Sequence, residues 1–545
     1  MINRPIRIAL LITGFIVVVL LFFLRLDAMG LTGPDEPRYA EVAKEMLLSH
    51  DYITPRLLGQ PWFEKPVLYY WSTALAYSHW GVNETAARLP SAFAAFLLTL
   101  TLFLAPRPIL NFESRGLSSL IFATSLGGIA FSRAASTDML LTATFSIAMI
   151  LFWVVLQDPA TTQSNLRVVL AYLALGLSVL AKGPVGVVLA AAILFCYFCI
   201  SGEWKKIGKL KIPLGIALMA AVDLPWFLLC YRANGWVFID TFLVRHNLLR
   251  FATNDFQHWR PFWFYIPVIL GALLPWSFFL LLTGSRVREF LNLGTWRNRP
   301  HRTFLALWVV IPLLFFTIAQ SKLPGYILPT LIPLSIILAN SLIAASRPSP
   351  MRETRNQALR SFRWALGLEL LFFAFLLISS HRITSRFQLA LGGLEWVIGI
   401  TASLMIVVLL CCLFHPRGLF IAVGSHVLIM AALVIVATLR ILPHLDPEIS
   451  VRPAVQALHR ISGSPRVFVF EVSRSVRYGL DFYLTPPPVP VNSPQDISHP
   501  RSQNNEFLVI STRAPKLDAI HAAFPGEVIY QSREIVVWRM GAGPE

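Results

Sequence analysis

Residues 8–24, IALLITGFIVVVLLFFL, carry no charge and are long enough to cross a hydrocarbon core as one helix. Shortly after comes Gly33-Pro34-Asp35-Glu36-Pro37-Arg38-Tyr39-Ala40-Glu41, too polar to enter a bilayer and too proline-rich to continue the helix before it. Behind it Tyr39, Val42, Ala43, Met46 and Leu47 recur at helical spacing, with Glu41, Lys44 and Glu45 between them. This reads as a short amphipathic helix lying on a membrane surface, acids at its N-terminal end. The plainer alternative is an interfacial helix whose first turn is capped by Asp35 or Glu36.

The rest of the chain decides what that pairing of span and acidic loop belongs to. Of its 545 residues 56% are hydrophobic and only 14% charged, which is not a soluble composition. About thirteen apolar windows are long enough to span, at 8–24, 88–105, 116–132, 138–156, 168–181, 185–200, 212–230, 262–283, 303–319, 325–345, 363–379, 394–414 and 418–441. The expected fold is an all-α polytopic membrane unit over residues 1–444. Arg4 and Arg7 precede the first run as in a signal peptide, but the run is long and no small-x-small site follows, so it counts as the first span.

The net charge of +17 does not point to nucleic acid, because Lys and Arg fall in short loops between spans. With the N-terminus in the cytoplasm, every second loop is basic: Arg107 and Arg115, Lys205 to Lys211, Arg286 to Arg302, Arg347 to Arg363. The long connections 27–87 and 231–261 then lie outside, together with the tail. That tail, 445–545, reads as a small α/β domain with strands at Arg466-Val-Phe-Val-Phe, Glu506-Phe-Leu-Val-Ile-Ser and Glu534-Ile-Val-Val-Trp-Arg. It carries no chemistry motif. All five cysteines sit inside apolar runs, so Cys196-x-x-Cys199 reads as packing rather than redox or zinc chemistry.

Topology sorts the unusual polar residues onto the outer side. Asp35, Glu36, Arg38 and Glu41 are there, then Glu64 and Lys65, Arg133 and Asp138, and Lys182 in Ala181-Lys-Gly-Pro. Arg245, His246 and Arg250 follow, then Gln257 and His258, and last Lys322 and Tyr326 in Ser321-Lys-Leu-Pro-Gly-Tyr. Each has a plain alternative: a cap for Asp138, snorkelling for Arg133, a turn for Lys182, an interfacial anchor for Tyr326, a surface pair for Glu64 and Lys65. The positive-inside rule, however, predicts few cations here, and an anionic ligand accounts for them. Lys and Arg would neutralise a lipid phosphate leaving group, a carboxylate would orient or deprotonate a nucleophile, and the aromatic run Phe262-Trp-Phe-Tyr suits an isoprenoid tail. No P-loop or dinucleotide fingerprint is present.

In this order the motifs resemble the GT-C membrane glycosyltransferases that use polyprenyl-phosphate sugars, in particular the bacterial lipid A aminoarabinose transferases and their protein O-mannosyltransferase-like relatives. The resemblance runs from about residue 30 to 340 and rests on Asp35-Glu-Pro-Arg-Tyr-Ala-Glu, Phe63-Glu-Lys-Pro, Ala87-Arg-Leu-Pro-Ser, Arg133 to Asp138, Ala181-Lys-Gly-Pro, His246-Asn-Leu-Leu-Arg-Phe, Gln257-His and Ser321-Lys-Leu-Pro-Gly-Tyr. It implies Asp35 as the essential acid, with Lys65 and Asp138 in the catalytic set. Arg38, Lys65, Lys182, Arg250, Lys322 and Tyr326 would hold the donor phosphate and lipid. Glu64 and His246 match positions where a divalent ion is held in such enzymes; no other cofactor is implied. Pro37 departs from the small or polar residue expected between Glu36 and Arg38.

The function so implied is inverting transfer of a sugar from undecaprenyl phosphate to an acceptor outside the inner membrane. An aminoarabinose-type sugar and lipid A or a related glycolipid come first; protein or another glycan is the alternative acceptor. From other classes, a lipid-linked sugar transporter would place charge at the bilayer midplane or in internal repeats, and neither is visible. A scaffold would depend on the tail instead.

Overall fold

The computed structural model describes residues 4–106, 110–157, 162–252, 260–283, 293–346, 352–386, 394–415, 418–461, 466–491, 506–511 and 526–540. These divide into two compact units. One holds 1–24, 63–69 and 90–435; the other gathers 25–62, 70–89 and 436–545.

All thirteen apolar windows are helical. Among the described residues nine helices are long and apolar enough to cross a membrane, and a bent pair makes a tenth. The shorter apolar helices Ile8–Phe23 and Val185–Ser201 fill two further windows. In the first unit the elements that matter are α1 (Arg4–Phe23), α4 (Glu84–Leu104), α5 (Phe112–Thr124), α6 (Leu126–Ser132), α7 (Thr137–Gln157), α8 (Thr162–Lys182) and α9 (Val185–Ser201). Helix α7 is buried along nearly its whole length, and the ring of Trp153 stacks on Phe304 while Phe145 meets Trp308 edge-on. A helix apolar on every side suits a central position in a bundle.

Two expected spans are broken, and at the same place. Window 116–132 is not one helix: Ser125 is extended, its hydroxyl accepting from Gly128 N, and it separates α5 from α6. Window 262–283 bends by 111° between Tyr265–Ala272 and Trp276–Thr283. The two breaks satisfy each other. Leu126 N donates to Leu274 O at 2.9 Å, and Trp276 Nε1 donates to Thr124 Oγ1 at 2.9 Å. Irregular backbone at membrane depth persists only where protein supplies its partners. Gly127 permits the approach, since a Cβ there would sit 2.9 Å from Ala272 Cβ.

The second unit is built around a five-stranded sheet. With β1 (Arg56–Leu57) and β2 (Gln60–Pro61) forming a small hairpin elsewhere, the sheet comprises β3 (Arg466–Phe470), β4 (Val489–Pro490), β5 (Glu506–Ser511), β6 (Gly526–Gln531) and β7 (Ile535–Met540). The order is β4-β3-β5-β7-β6; β3 runs parallel to β4 and β5, while β7 is antiparallel to β5 and β6. All three expected strands are present, and β4 and β6 are added. Helices Arg452–Ile461 and Arg474–Tyr483 bury Val455, Leu458, Val476 and Leu480 against Val467, Val469 and Val537.

Helix α2 (Asp35–Ser49) and the turns around it belong to this unit. Arg88 ties them: its guanidinium donates to Leu26 O, Met29 O and Gly30 O at 2.7–2.8 Å and to both oxygens of Glu36. Arg452 does the same for Asp446, Glu84 and Asp27 O. Helix α2 is therefore more than a surface helix, because Glu36 and Glu41 are themselves buried. Nor do the acids cap it in the ordinary way: Pro34 precedes the helix without a side-chain bond, and Glu36 accepts instead from Thr32 and Arg88.

Candidate active site

Within the transmembrane unit, four stretches distant in sequence line one cavity of about 330 Å³. Glu64 and Lys65 come from the segment before the helix Leu68–Trp80. Lys182 ends α8. His246 and Arg250 come from the π-helical turn Asp240–Leu249 and its continuation Arg250–Ala252. Ser321 and Tyr326 come from the turn after the helix Pro300–Ile318.

Glu64 is the hub of one side. Its Oε1 lies 3.6 Å from Arg250 Nη1 and 3.9 Å from His246 Nδ1. His246 and Arg250 are four apart, and the wider π turn delivers both to the same carboxylate. Gly183 makes room for this helix. Its φ is +92°, and a Cβ there would stand 2.9 Å from Asn247 Oδ1 and 3.2 Å from Phe242. Asn247 in turn donates to Phe242 O at 2.6 Å.

Asp138 is the hub of the other side. It sits in the first turn of α7, where its carboxylate takes the ammonium of Lys182 rather than capping the helix. That ammonium lies 4.6 Å from the centre of the Tyr326 ring. Gly325 lets the Tyr326 turn come this close, since a Cβ would meet Asp138 Cγ at 2.7 Å. Tyr265 closes the group from behind, its hydroxyl donating to Leu323 O at 3.4 Å.

Beyond these polar residues the wall is apolar: Val185, Val188, Phe251, Phe315 and Phe316 line it, with Phe251 and Phe315 rings 4.8 Å apart. Three cations against one carboxylate at the lining give a surplus of positive charge beside a hydrocarbon surface. Such a cavity can bind a monoanionic or dianionic head carrying a long apolar chain.

Other predicted residues stand elsewhere. Lys322 is buried with its ammonium donating to Ala319 O at 2.7 Å, closing the carbonyl end of the preceding helix, and it is not among the lining residues. Arg133 donates to Leu21 O and Leu24 O at the end of α1, which is a helix-end role. Arg245 pairs with Asp240 at 2.9 Å and is largely exposed. Gln257 and His258 lie outside the described residues. Asp35 and Arg38 belong to the other unit, where Arg38 Nη2 donates to Asp35 Oδ1 at 2.6 Å and the Asp35 side chain remains 54% exposed.

Glu64 and His246 face each other at 3.9 Å, as two donors side by side. Among the described residues no group of three His, Cys, Asp or Glu forms, and Arg250 Nη1 stands 3.6 Å from the same Glu64 oxygen. Two donors beside a cation fall short of the about six to eight oxygen ligands a calcium ion takes. Gly183, Asn247 and Gly325 lie inside the quoted motifs but carry no assigned role there; the signal for the two glycines is their place beside proline, at Gly183-Pro184 and Pro324-Gly325.

Fold and cavity describe a multi-pass helical membrane protein with a small α/β C-terminal region. Comparison with known proteins then narrows it. The family model described as dolichyl-phosphate-mannose-protein mannosyltransferase matches residues 8–243. The undecaprenyl phosphate-alpha-4-amino-4-deoxy-L-arabinose arabinosyl transferase of Pseudomonas paraeruginosa is 33% identical over 358 residues, 65% of this chain and 62% of that relative. The enzyme of the same name from an Enterobacter species is 35% identical over 344 residues, 62% of this chain and 60% of the relative. The match thus spans somewhat less than two thirds of these relatives. The crystal structure of ArnT from Cupriavidus metallidurans in the apo state has the same fold, with a TM-score of 0.78 at 22% identity over 99% of this chain and 100% of that one. The structure of the same ArnT bound to undecaprenyl phosphate gives 0.77 over 98% and 99%. The resemblance read from the motifs is carried by sequence and fold alike.

Proposed function

We propose that this chain is an inverting glycosyltransferase that takes a sugar from undecaprenyl phosphate and delivers it to an acceptor outside the inner membrane. The observation that carries the reading is the cavity in which Lys65, Lys182 and Arg250 stand beside the apolar wall of Phe251, Phe315 and Phe316. A phosphate joined to an isoprenoid chain fits both halves. The names of the relatives, and undecaprenyl phosphate in the ArnT structure, favour an aminoarabinose-type sugar as cargo and lipid A or a related glycolipid as acceptor. The distribution of Lys and Arg supports a cytoplasmic N-terminus, with residues 27–87 and the C-terminal segment outside.

In this mechanism an acceptor oxygen attacks the anomeric carbon as the bond from that carbon to the phosphate oxygen breaks. The electron pair leaves with undecaprenyl phosphate, and configuration inverts. Arg250, oriented by Glu64, and Lys65 stabilise the charge that grows on the leaving phosphate. Lys182 adds a third cation whose place is fixed by Asp138 and Tyr326. Asp35 is the acid on which the reaction depends, an assignment that rests on its motif, its exposure and its fixed pairing with Arg38. With a hydroxyl acceptor it takes the proton; with a phosphate acceptor, already anionic, it orients the donor amine.

The test is mass spectrometry of lipid A and total glycolipids from a host lacking its own aminoarabinose transferase, with and without this protein. A gain of one aminopentose on lipid A, abolished by Asp35→Asn, is the expected result. Unchanged lipid A with another glycoconjugate gaining a sugar would move the acceptor and keep the enzyme class. No transfer to any glycan, lipid or protein would overturn the reading.

A further inference from the structure

Arg38 stands in a cage of three aromatic rings. Its guanidinium carbon lies 5.2 Å from the ring centre of Tyr39, 5.4 Å from that of Trp62 and 5.8 Å from that of Tyr478. All three are within cation–π reach. Tyr39 neighbours Arg38 in the chain, and Trp62 follows the β1–β2 hairpin. Tyr478 comes from the far end of the sequence, four hundred and forty residues on, in the segment where no chemistry motif was visible.

The helix carrying Tyr478 is built to present it. Ser473 caps Arg474–Tyr483 by accepting from Val476 N. Val476 and Leu480, four apart, enter the core of the sheet. Gly479 lets the helix settle on Val451, because a Cβ there would lie 2.6 Å from Val451 Cγ2. Tyr478 and Phe482, also four apart, then lie on a different face. That face packs on α2: Lys44 Nζ donates to Phe482 O at 2.9 Å and lies 5.6 Å from the Phe482 ring centre.

We propose that Tyr478 is a positioning residue for Arg38 and, through it, for Asp35, so that the C-terminal segment takes part in the transfer reaction itself. This rests on Asp35 being the acid of that reaction. The Asp35 side chain is half exposed and would otherwise sample several rotamers; the 2.6 Å bond from Arg38 selects one. A guanidinium on a long flexible stem does this better the more contacts fix it. The aromatic cage supplies three such contacts, with the Arg38 side chain only 12% exposed. Tyr478 touches no reacting atom in this scheme. It sets how often Asp35 is in place.

Four variants test this in the purified full chain: Tyr478→Leu, Tyr478→Phe, Arg38→Ala and the double variant Arg38→Ala/Tyr478→Leu. Leu keeps apolar bulk against α2 and removes the ring, and Phe keeps the ring and removes the hydroxyl. Tyr478→Leu is expected to lower kcat roughly 10-fold with KM for the lipid donor unchanged, and Tyr478→Phe to stay within about 2-fold of the parent. In the Arg38→Ala background, Tyr478→Leu is expected to cost nothing further. Full kcat in Tyr478→Leu, or costs that simply add in the double variant, would overturn the proposal. Retained activity in Asp35→Asn is a separate failure, that of the underlying assignment of the acid. Should Tyr478→Leu fold poorly, Tyr478→Met preserves a long apolar side chain and gives the same reading.

Discussion

The ammonium of Lys182 stands 4.6 Å over the ring of Tyr326 while its charge is met by Asp138. The last residue of α8, the first turn of α7 and a turn one hundred and forty-four residues beyond Lys182 are thereby held as one group. Lys182 lines the cavity and Asp138 does not, so a carboxylate outside the lining anchors a cation within it. Such a group behaves cooperatively, since each side chain is placed by the other two.

Gly325→Ala tests that cooperation without touching a charge. The new methyl would stand 2.7 Å from Asp138 Cγ and 2.9 Å from Phe131. Carbon atoms do not approach so closely, and the Tyr326 turn must withdraw. We expect transfer activity to fall at least about 10-fold, with the variant still folded by size-exclusion chromatography. Parent-level activity would show that the turn relaxes without consequence for Lys182.

Much of the fold is legible in the residues themselves, since long apolar windows become helices wherever they occur. What escapes is where a window breaks. Ser125, Gly127 and Gly128 look like ordinary small residues in an apolar run. Their meaning depends on Leu274 and Trp276, one hundred and fifty residues away, which supply the bonds that make the break tolerable. The candidate cavity shows the same division. Lys65, Lys182 and Arg250 stand out as cations where few are expected, whereas Phe315 and Phe316, its apolar wall, look like any span. Lys322 stands out equally and yet binds a helix-end carbonyl. The part of Tyr478 could not be read at all, because it depends on the packing of α2 against a helix more than four hundred residues later.

Arg250 and Lys65 should differ in kind as phosphate ligands. Arg250 offers a planar fork whose Nη1 is held by Glu64, and Lys65 a point charge. Arg250→Lys keeps the charge and loses the fork. Removing one charge-assisted hydrogen bond costs about 1.5–3 kcal/mol, or roughly 10- to 100-fold in affinity. We expect Arg250→Ala and Lys65→Ala each to weaken undecaprenyl phosphate binding within that range, and Arg250→Lys to recover only part of the loss. A direct binding measurement in detergent decides this, and equal affinity in Arg250→Ala would remove Arg250 from the phosphate site.

Glu369 and His426 form a buried pair in the membrane-spanning part, His426 Nε2 lying 2.7 Å from Glu369 Oε1 with neither side chain exposed. Because Ala422 O can only accept, His426 Nδ1 must donate to it. One proton then lies between Nε2 and Oε1, and the pair is neutral overall. Glu369→Ala strands a buried imidazole nitrogen and should destabilise by on the order of 3 kcal/mol. Glu369→Gln can donate its amide proton to a neutral His426 and should cost roughly 1 kcal/mol or less. Thermal unfolding in detergent compares the two. Equal losses would mean that the shape of the side chain, and not its hydrogen bond, matters at this position.

The contact between α2 and the helix Arg474–Tyr483 should weaken as pH rises. Burial pushes Glu41 up to about 7 despite Lys44 at 3.0 Å, and pushes Asp481 up to about 6 despite Arg477 at 3.1 Å. Glu45 also bears on both carboxyls and raises them further. In the unfolded chain these groups titrate at their ordinary values of 4.5 and 3.8, so between there and about 6–7 the folded state holds protons that the unfolded state has released. The contribution to stability is therefore fully present below about pH 4 and is lost as pH climbs through 7, amounting to on the order of 3 kcal/mol for Glu41. Hydrogen exchange over 35–49 and 474–483, corrected for intrinsic rates, should be slower at pH 5 than at pH 8, and Glu41→Gln should flatten that difference. Protection that rises with pH would mean that ion pairing with Lys44 and Arg477 outweighs burial, and the direction assigned here would be reversed.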